Sequence, residues 1–154
     1  MGLKIDGRFA PGDTIKLAPG NVKVQARATS QFHMDQVELI INGRVTRQLK
    51  LSDDKLSASL DGIVRLDTTG WMALRARGKS ASLLTAPGLW AHTSPVYIDI
   101  PNRPMDAKAD AAYFLKWINR LEADLRKRNR IPGGIDQHVK VQLNQARAIY
   151  HALR

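Results

Sequence analysis

The sequence predicts a mainly β protein, an antiparallel β-sandwich of about seven short strands followed by a C-terminal antiparallel pair of helices. Three observations carry this expectation. Val22, Val24, Ala26 and Ala28 alternate with Lys23, Gln25, Arg27 and Thr29, the period of two that belongs to a strand with one buried and one wet face. Asn42-Gly43 stands between two strand-like runs and is a strong hairpin signal, because a type I′ turn needs positive φ at both central residues. Beyond Pro104 the apolar spacing changes to that of a helix, which divides the chain into a sandwich over 1–104 and a helical hairpin over 105–154.

Taken in order, Ala10-Pro11-Gly12-Asp13 is a turn that opens the folded part, and residues 14–17 are a short edge strand stopped by Pro19 and Gly20. The alternating strand from Val22 follows, then a loop over 30–34, then residues 37–41 with Val37, Leu39 and Ile41 on one face. The hairpin partner is expected over 44–51. Ser52, Asp53 and Asp54 turn the chain into a run in which Leu56, Ala58 and Leu60, then Val64 and Leu66, share a face. Asp61-Gly62 leaves open one bent strand or two. Residues 71–77 form the next strand with ambiguous parity: either Met72, Leu74 and Ala76 face the core, or Trp71 and Ala73 do. Asp67 lies four residues before Trp71, like the corner residue ahead of an aromatic that begins a penultimate sandwich strand, which favours a buried Trp71. A longer loop over 79–91 precedes the last strand, 93–100. Turns every 8 to 12 residues and no helical period among these runs describe an immunoglobulin-like sandwich.

In the tail, Phe114, Trp117, Ile118, Leu121 and Leu125 form an apolar helical stripe, and Ile135, Val139, Leu143, Ala146, Tyr150 and Leu153 form a second. Ile131-Pro132-Gly133-Gly134 separates them, so the two helices pack antiparallel, on the sandwich or on a neighbour.

Composition narrows function. The net charge of +10 invites a nucleic-acid reading, but the excess is spread over both parts and only Arg126, Lys127, Arg128 and Arg130 cluster, at a helix C-terminus where they complement the macrodipole. No run reaches the ~18 apolar residues of a membrane span, and the start MGLKIDGRFAPGD lacks the apolar centre of an export signal. A soluble chain with no membrane span and no encoded export is expected. Absence of Cys removes disulfides, thiolate nucleophiles and Cys-based zinc sites. His33, His92, His138 and His151 sit far apart, with neither a His-x-His nor a His-Glu-x-x-His spacing. No catalytic residue, metal ligand or cofactor site is therefore assigned. His92 and Ser94 read as hydrogen-bonding structural residues at a strand start, since nothing at recognisable spacing orients them as a nucleophile pair.

Residues 70–78 (GWMALRARG), 91–98 (AHTSPVYI), 110–132 (DAAYFLKWINRLEADLRKRNRIP) and 35–49 (DQVELIINGRVTRQL) together resemble the C-terminal region of bacterial PHP-type metallohydrolases of the CehA/McbA kind, from about Pro11 onward. The resemblance implies an immunoglobulin-like accessory domain with a helical end, following a metal-dependent hydrolase domain. The His-x-Asp-x-His signature of that hydrolase is not in these residues, so the implied role is non-catalytic: protein contact or substrate presentation. The partners it implies are the absent hydrolase domain or a second copy of this chain. A carbohydrate or other ligand is the alternative, because aromatic side chains such as Trp90 and Phe32 stack on sugar faces.

The candidate contact patch lies in two loops expected at one end of the sandwich. They hold Phe32, His33 and Met34 on one side and Leu83, Leu84, Leu89 and Trp90 on the other, an apolar content that points to a covered or docking surface.

Overall fold

A computed structural model describes residues 1–79, 88–129, 131 and 133–153. The chain falls into two compact units, Met1–Met105 and Asp106–Arg154.

The first unit is mainly β and holds two sheets. Its long axis is the antiparallel pair of β3 (Gly20–Thr29) and β7 (Ser57–Leu66), in register from Gly20 opposite Leu66 to Thr29 opposite Ser57. On β3 the alternation works as expected: Val22, Val24, Ala26 and Ala28 are buried and the residues between them are exposed. β7 is one continuous strand. Asp61 and Gly62 stay in the ladder opposite Gln25 and Val24, and hydrogen bonds from Gln25 and Lys23 hold the Asp61 carboxyl below its ordinary value. β1 (Gly2–Ile5) extends this sheet beyond β3 and β6 (Lys50–Leu51) extends it beyond β7. β1 lies upstream of the turn where the sequence placed the start of the fold. Its only marks are Leu3 and Ile5, and two alternations are too few to register as a strand.

The second sheet runs in the order β2 (Thr14–Lys16), β10 (Val96–Asp99), β8 (Gly70–Lys79), β4 (Gln36–Ile41), β5 (Arg44–Gln48), with β9 (Gly88–His92) also paired to β8. β2 and β10 are parallel, and the other pairings are antiparallel. The β4–β5 turn has φ of 48° at Asn42 and 78° at Gly43, the two positive values a type I′ turn requires. The Asn42 Oδ1 then accepts the Trp71 backbone N–H at 2.8 Å. Gly70 has to be glycine for this contact, since a Cβ there would run into the Asn42 carboxamide.

Three expectations change. The return strand over 44–51 divides: β5 stays beside β4, the Leu49 N–H bonds to the Val37 carbonyl at 2.8 Å, and Lys50–Leu51 pairs in the other sheet. Leu49, buried at that crossing, anchors the change of sheet. The last strand, expected over 93–100, is shorter as β10, and the end of the expected loop over 79–91 forms an additional strand, β9, on the same edge of β8. Pro95 has no N–H to offer a ladder, and Thr93 repairs the gap: its N–H donates to the Leu74 carbonyl at 3.0 Å and its Oγ1 accepts the Leu74 N–H at 3.1 Å. Leu89 and Trp90, expected in a loop, therefore stand on a strand. Finally, Trp71 is not buried. Met72, Leu74 and Ala76 enter the core, and Trp71, one residue out of that phase, is half-buried on the opposite face beside its register partner Tyr97.

One apolar core joins the sheets: Leu3, Ile5, Val24 and Leu66 from the first meet Ile15, Leu39, Met72, Leu74 and Val96 from the second.

In the second unit, α1 (Lys108–Lys127) and α2 (Asp136–Ala152) touch through contacts that run in opposite directions. Phe114 stacks on Tyr150 with ring centroids 5.1 Å apart, and Arg147 reaches Asn119 and Glu122. The buried stripe of α1 is Ala111, Leu115 and Ile118. The expected stripe was shifted from it, since Phe114 and Trp117 are exposed, Trp117 at 51%. Ala111 is small, and counting only large side chains missed it. Val139, Leu143, Ala146 and Tyr150 are half-buried on α2, whereas Ile135 and Leu153 are exposed. Arg126 and Arg128 bond back to Glu122 and Asp124; Arg130 and Pro132 lie outside the described residues.

Glu122 receives Arg126 and Arg147 together, and these two guanidinium groups hold its carboxyl below the ordinary 4.5. A lowered folded-state value means that the stabilisation is fully present above about pH 4.5 and is lost as pH falls through the folded value. Helix ellipticity followed through thermal melts should show the midpoint dropping below pH 4.5, with Glu122→Gln flattening that portion. An unchanged profile in the Gln variant would refute this role.

Candidate functional site

The period of two that points Met72, Leu74 and Ala76 inward points Trp71, Ala73, Arg75 and Arg77 outward on β8. Strand register then sets their neighbours. Arg77 has Trp90 on one side and Gln36 on the other; Arg75 has His92 and Glu38; Ala73 has Ile40; Trp71 has Tyr97. The outer face of the second sheet thus carries aromatic side chains at both ends and charged ones between.

Glu38 organises the middle. Its residue is only 3% exposed, and a carboxylate in that position requires paired donors. Arg75 supplies two through Nε and Nη2, at 2.9 and 2.8 Å to Oε2. Arg77 Nη2 adds a bond at 3.2 Å to Oε1 and another at 2.5 Å to Gln36. The Arg77 guanidinium carbon also sits 5.7 Å from the ring centroid of Trp90, within cation–π range. Trp90 is nevertheless 67% exposed.

Toward the other end lies an open groove of about 500 Å³, with Trp71, Ala73, Arg75, His92, Pro95 and Tyr97 among its lining. Tyr97 is 49% exposed. His92 Nδ1 is 3.1 Å from the Thr93 carbonyl. A carbonyl only accepts, so the bonded ring carries its proton on Nδ1, and a neutral ring leaves Nε2 as an acceptor.

The residues proposed from the two loops separate. Met34 is core, 1% exposed, with its N–H on the Lys55 carbonyl at 2.9 Å. Leu89 is half-buried and packs against the same core. Phe32 is half-buried, its N–H held by Ser30 Oγ at 3.0 Å, and His33 is exposed. The His33 carbonyl and the Leu89 side chain meet at Gly78, where a Cβ would collide with that carbonyl. Of the set, Trp90 alone reaches the outer face with large exposure among the described residues, and Leu83 and Leu84 lie outside them. Arg75, Arg77 and Glu38 were not singled out from the sequence. Their parity was readable, but their convergence depends on β4 lying beside β8.

Among the described residues no group of three or more His, Cys, Asp or Glu side chains is placed to hold a metal ion, and no helix is long and apolar enough to cross a membrane. The sequence matches no known family model, and no curated protein matches it.

Proposed function

We propose that this chain is a non-catalytic contact module, an immunoglobulin-like sandwich that serves a larger metal-dependent hydrolase of the PHP type through the outer face of its second sheet. The strand orders support the sandwich reading: β1-β3-β7-β6 corresponds to A-B-E-D, and β10-β8-β4-β5 within the second sheet to G-F-C-C′, the division of an immunoglobulin-like domain, with β2 beside β10 and β9 beside β8 as further strands. The observation that carries the contact reading is Trp90, largely exposed yet oriented by Arg77, which Glu38 in turn holds. A pre-positioned aromatic beside a guanidinium is the kind of group that dominates protein contacts. The purified chain should not hydrolyse p-nitrophenyl phosphate or acetate with added Mn²⁺ or Zn²⁺. A PHP-type hydrolase domain supplied in trans should bind it, and Trp90→Ala should weaken that binding roughly tenfold or more. Metal-dependent turnover abolished by chelation would overturn the reading.

The groove between Trp71 and Tyr97 favours a second reading, a carbohydrate-binding module. Aromatic faces stack on sugar rings, and Arg75 and His92 carry polar groups at the same place. Quenching of tryptophan fluorescence by an oligosaccharide panel, lost in Tyr97→Ala, would support it. A flat response across the panel would remove it.

A further inference from the structure

We infer that β9 is a pairing edge and that the strand it accepts is β9 of a second copy of this chain, related by a two-fold axis through Trp90. The phase of backbone hydrogen bonding leads to this. The Trp71 and Arg77 carbonyls accept from Asn42 and Asp35, so these residues turn their polar atoms toward β4, and Leu74, which bonds to Thr93, turns its own toward β9. Ala76 and Gly78 share the phase of Leu74, and they stand opposite Ala91 and Leu89. Leu89 and Ala91 therefore direct their backbone groups into the sheet, while Gly88, Trp90 and His92 direct theirs outward, where no strand is paired among the described residues. An outward row of N–H and C=O groups at this spacing recognises another extended strand.

Self-pairing fits that row in register. Antiparallel alignment about Trp90 sets Gly88 opposite His92, Trp90 opposite Trp90 and His92 opposite Gly88, and all three are pairs in which both residues face the partner strand. Trp90 meets its own counterpart on the outer face and loses exposure that it otherwise keeps. Charge selects this edge over the others. β1, β2, β5 and β6 carry Lys4, Lys16, Arg44 with Arg47, and Lys50, the residues that keep edges from pairing, whereas Gly88–His92 contains neither Lys nor Arg. The chain as a whole carries +10, so pairing of two copies strengthens as salt screens their repulsion.

The inference rests on the contact-module reading, but its test is separate, since hydrolysis assays address that reading and sedimentation addresses the pairing. Sedimentation equilibrium from micromolar to hundreds of micromolar should give a mass rising toward twice the 17.1 kDa of the chain, more steeply at higher salt. His92→Pro removes an outward N–H while leaving the β8 ladder intact, and should weaken dimerisation roughly tenfold or more with unchanged circular dichroism. His92→Ala should leave it in place. Because the chain has no Cys, Trp90→Cys should form a covalent dimer on mild oxidation, across a Cα separation of about 5.5 Å. Ile63→Cys, at a position 65% exposed on β7, should not. A single 17.1 kDa species throughout, or equal crosslinking at both positions, would overturn the pairing. So would a dimer that survives His92→Pro and disappears in Trp117→Ala, which would place the contact on the helices.

Discussion

Replacing Leu74 by Ala should lower the unfolding free energy by about 2–5 kcal/mol, the range found when a fully enclosed Leu leaves a cavity. Replacing Trp71 by Ala should cost roughly 1–2 kcal/mol, because only part of that large side chain is removed from water. The contrast follows from one step of strand phase. Leu74 is 0% exposed between the two sheets, whereas Trp71 lies half-buried on the outer face beside Tyr97. On residue size alone the order would be reversed. Urea titrations of both variants, with midpoint and slope compared separately, decide the matter. A Trp71→Ala variant destabilised more than Leu74→Ala would return Trp71 to the core and invalidate the outer face built upon it.

The same phase explains how much of the fold was readable. Where alternation runs for eight residues with a clean polar partner at every step, as from Val22 to Thr29, face and strand follow from chemistry alone. At 71–77 both parities offer apolar residues, and the tie is broken by what stands across the ladder: Val96 opposite Met72 points inward, Tyr97 opposite Trp71 outward. Those neighbours are 24 and 26 residues away in the chain, so no local pattern contains them. β9 escaped for a different reason. Leu89 and Ala91 alternate with Trp90 and His92, but neither side is polar enough to mark a wet face, and Pro87-Gly88 reads as a loop signal. The candidate patch was partly legible through Trp90. Its companions were drawn from loop position, and Met34 shows why that misleads: an apolar residue in a short connection is often the plug of the core beneath it.

Removing Arg75 and Arg77 together should destabilise the chain by about 2–4 kcal/mol, whereas either Arg→Ala alone should cost less than half of that. The cause is Glu38, whose side chain is 4% exposed while the Arg75 and Arg77 side chains are 37% and 34% exposed. A half-exposed Arg regains water when its partner leaves, but a buried carboxylate left without cations cannot. One remaining Arg still satisfies it, which makes the pair strongly non-additive. The lower end of the range reflects screening at the open side of the site. Glu38→Gln should relieve most of the double-variant penalty, because a neutral amide has no charge to leave unpaired, and a double-mutant cycle by chemical denaturation measures this directly. Additive Arg effects, or no relief from Gln, would mean that the cluster is an ordinary surface ion pair. The contact reading depends on this result as well. With Glu38→Gln in the native background, Arg77 keeps its bond to Gln36 and its place near Trp90 but loses its carboxylate anchor. Binding through the outer face should then weaken at unchanged stability, separating a scaffold that merely folds from one that holds Trp90 ready.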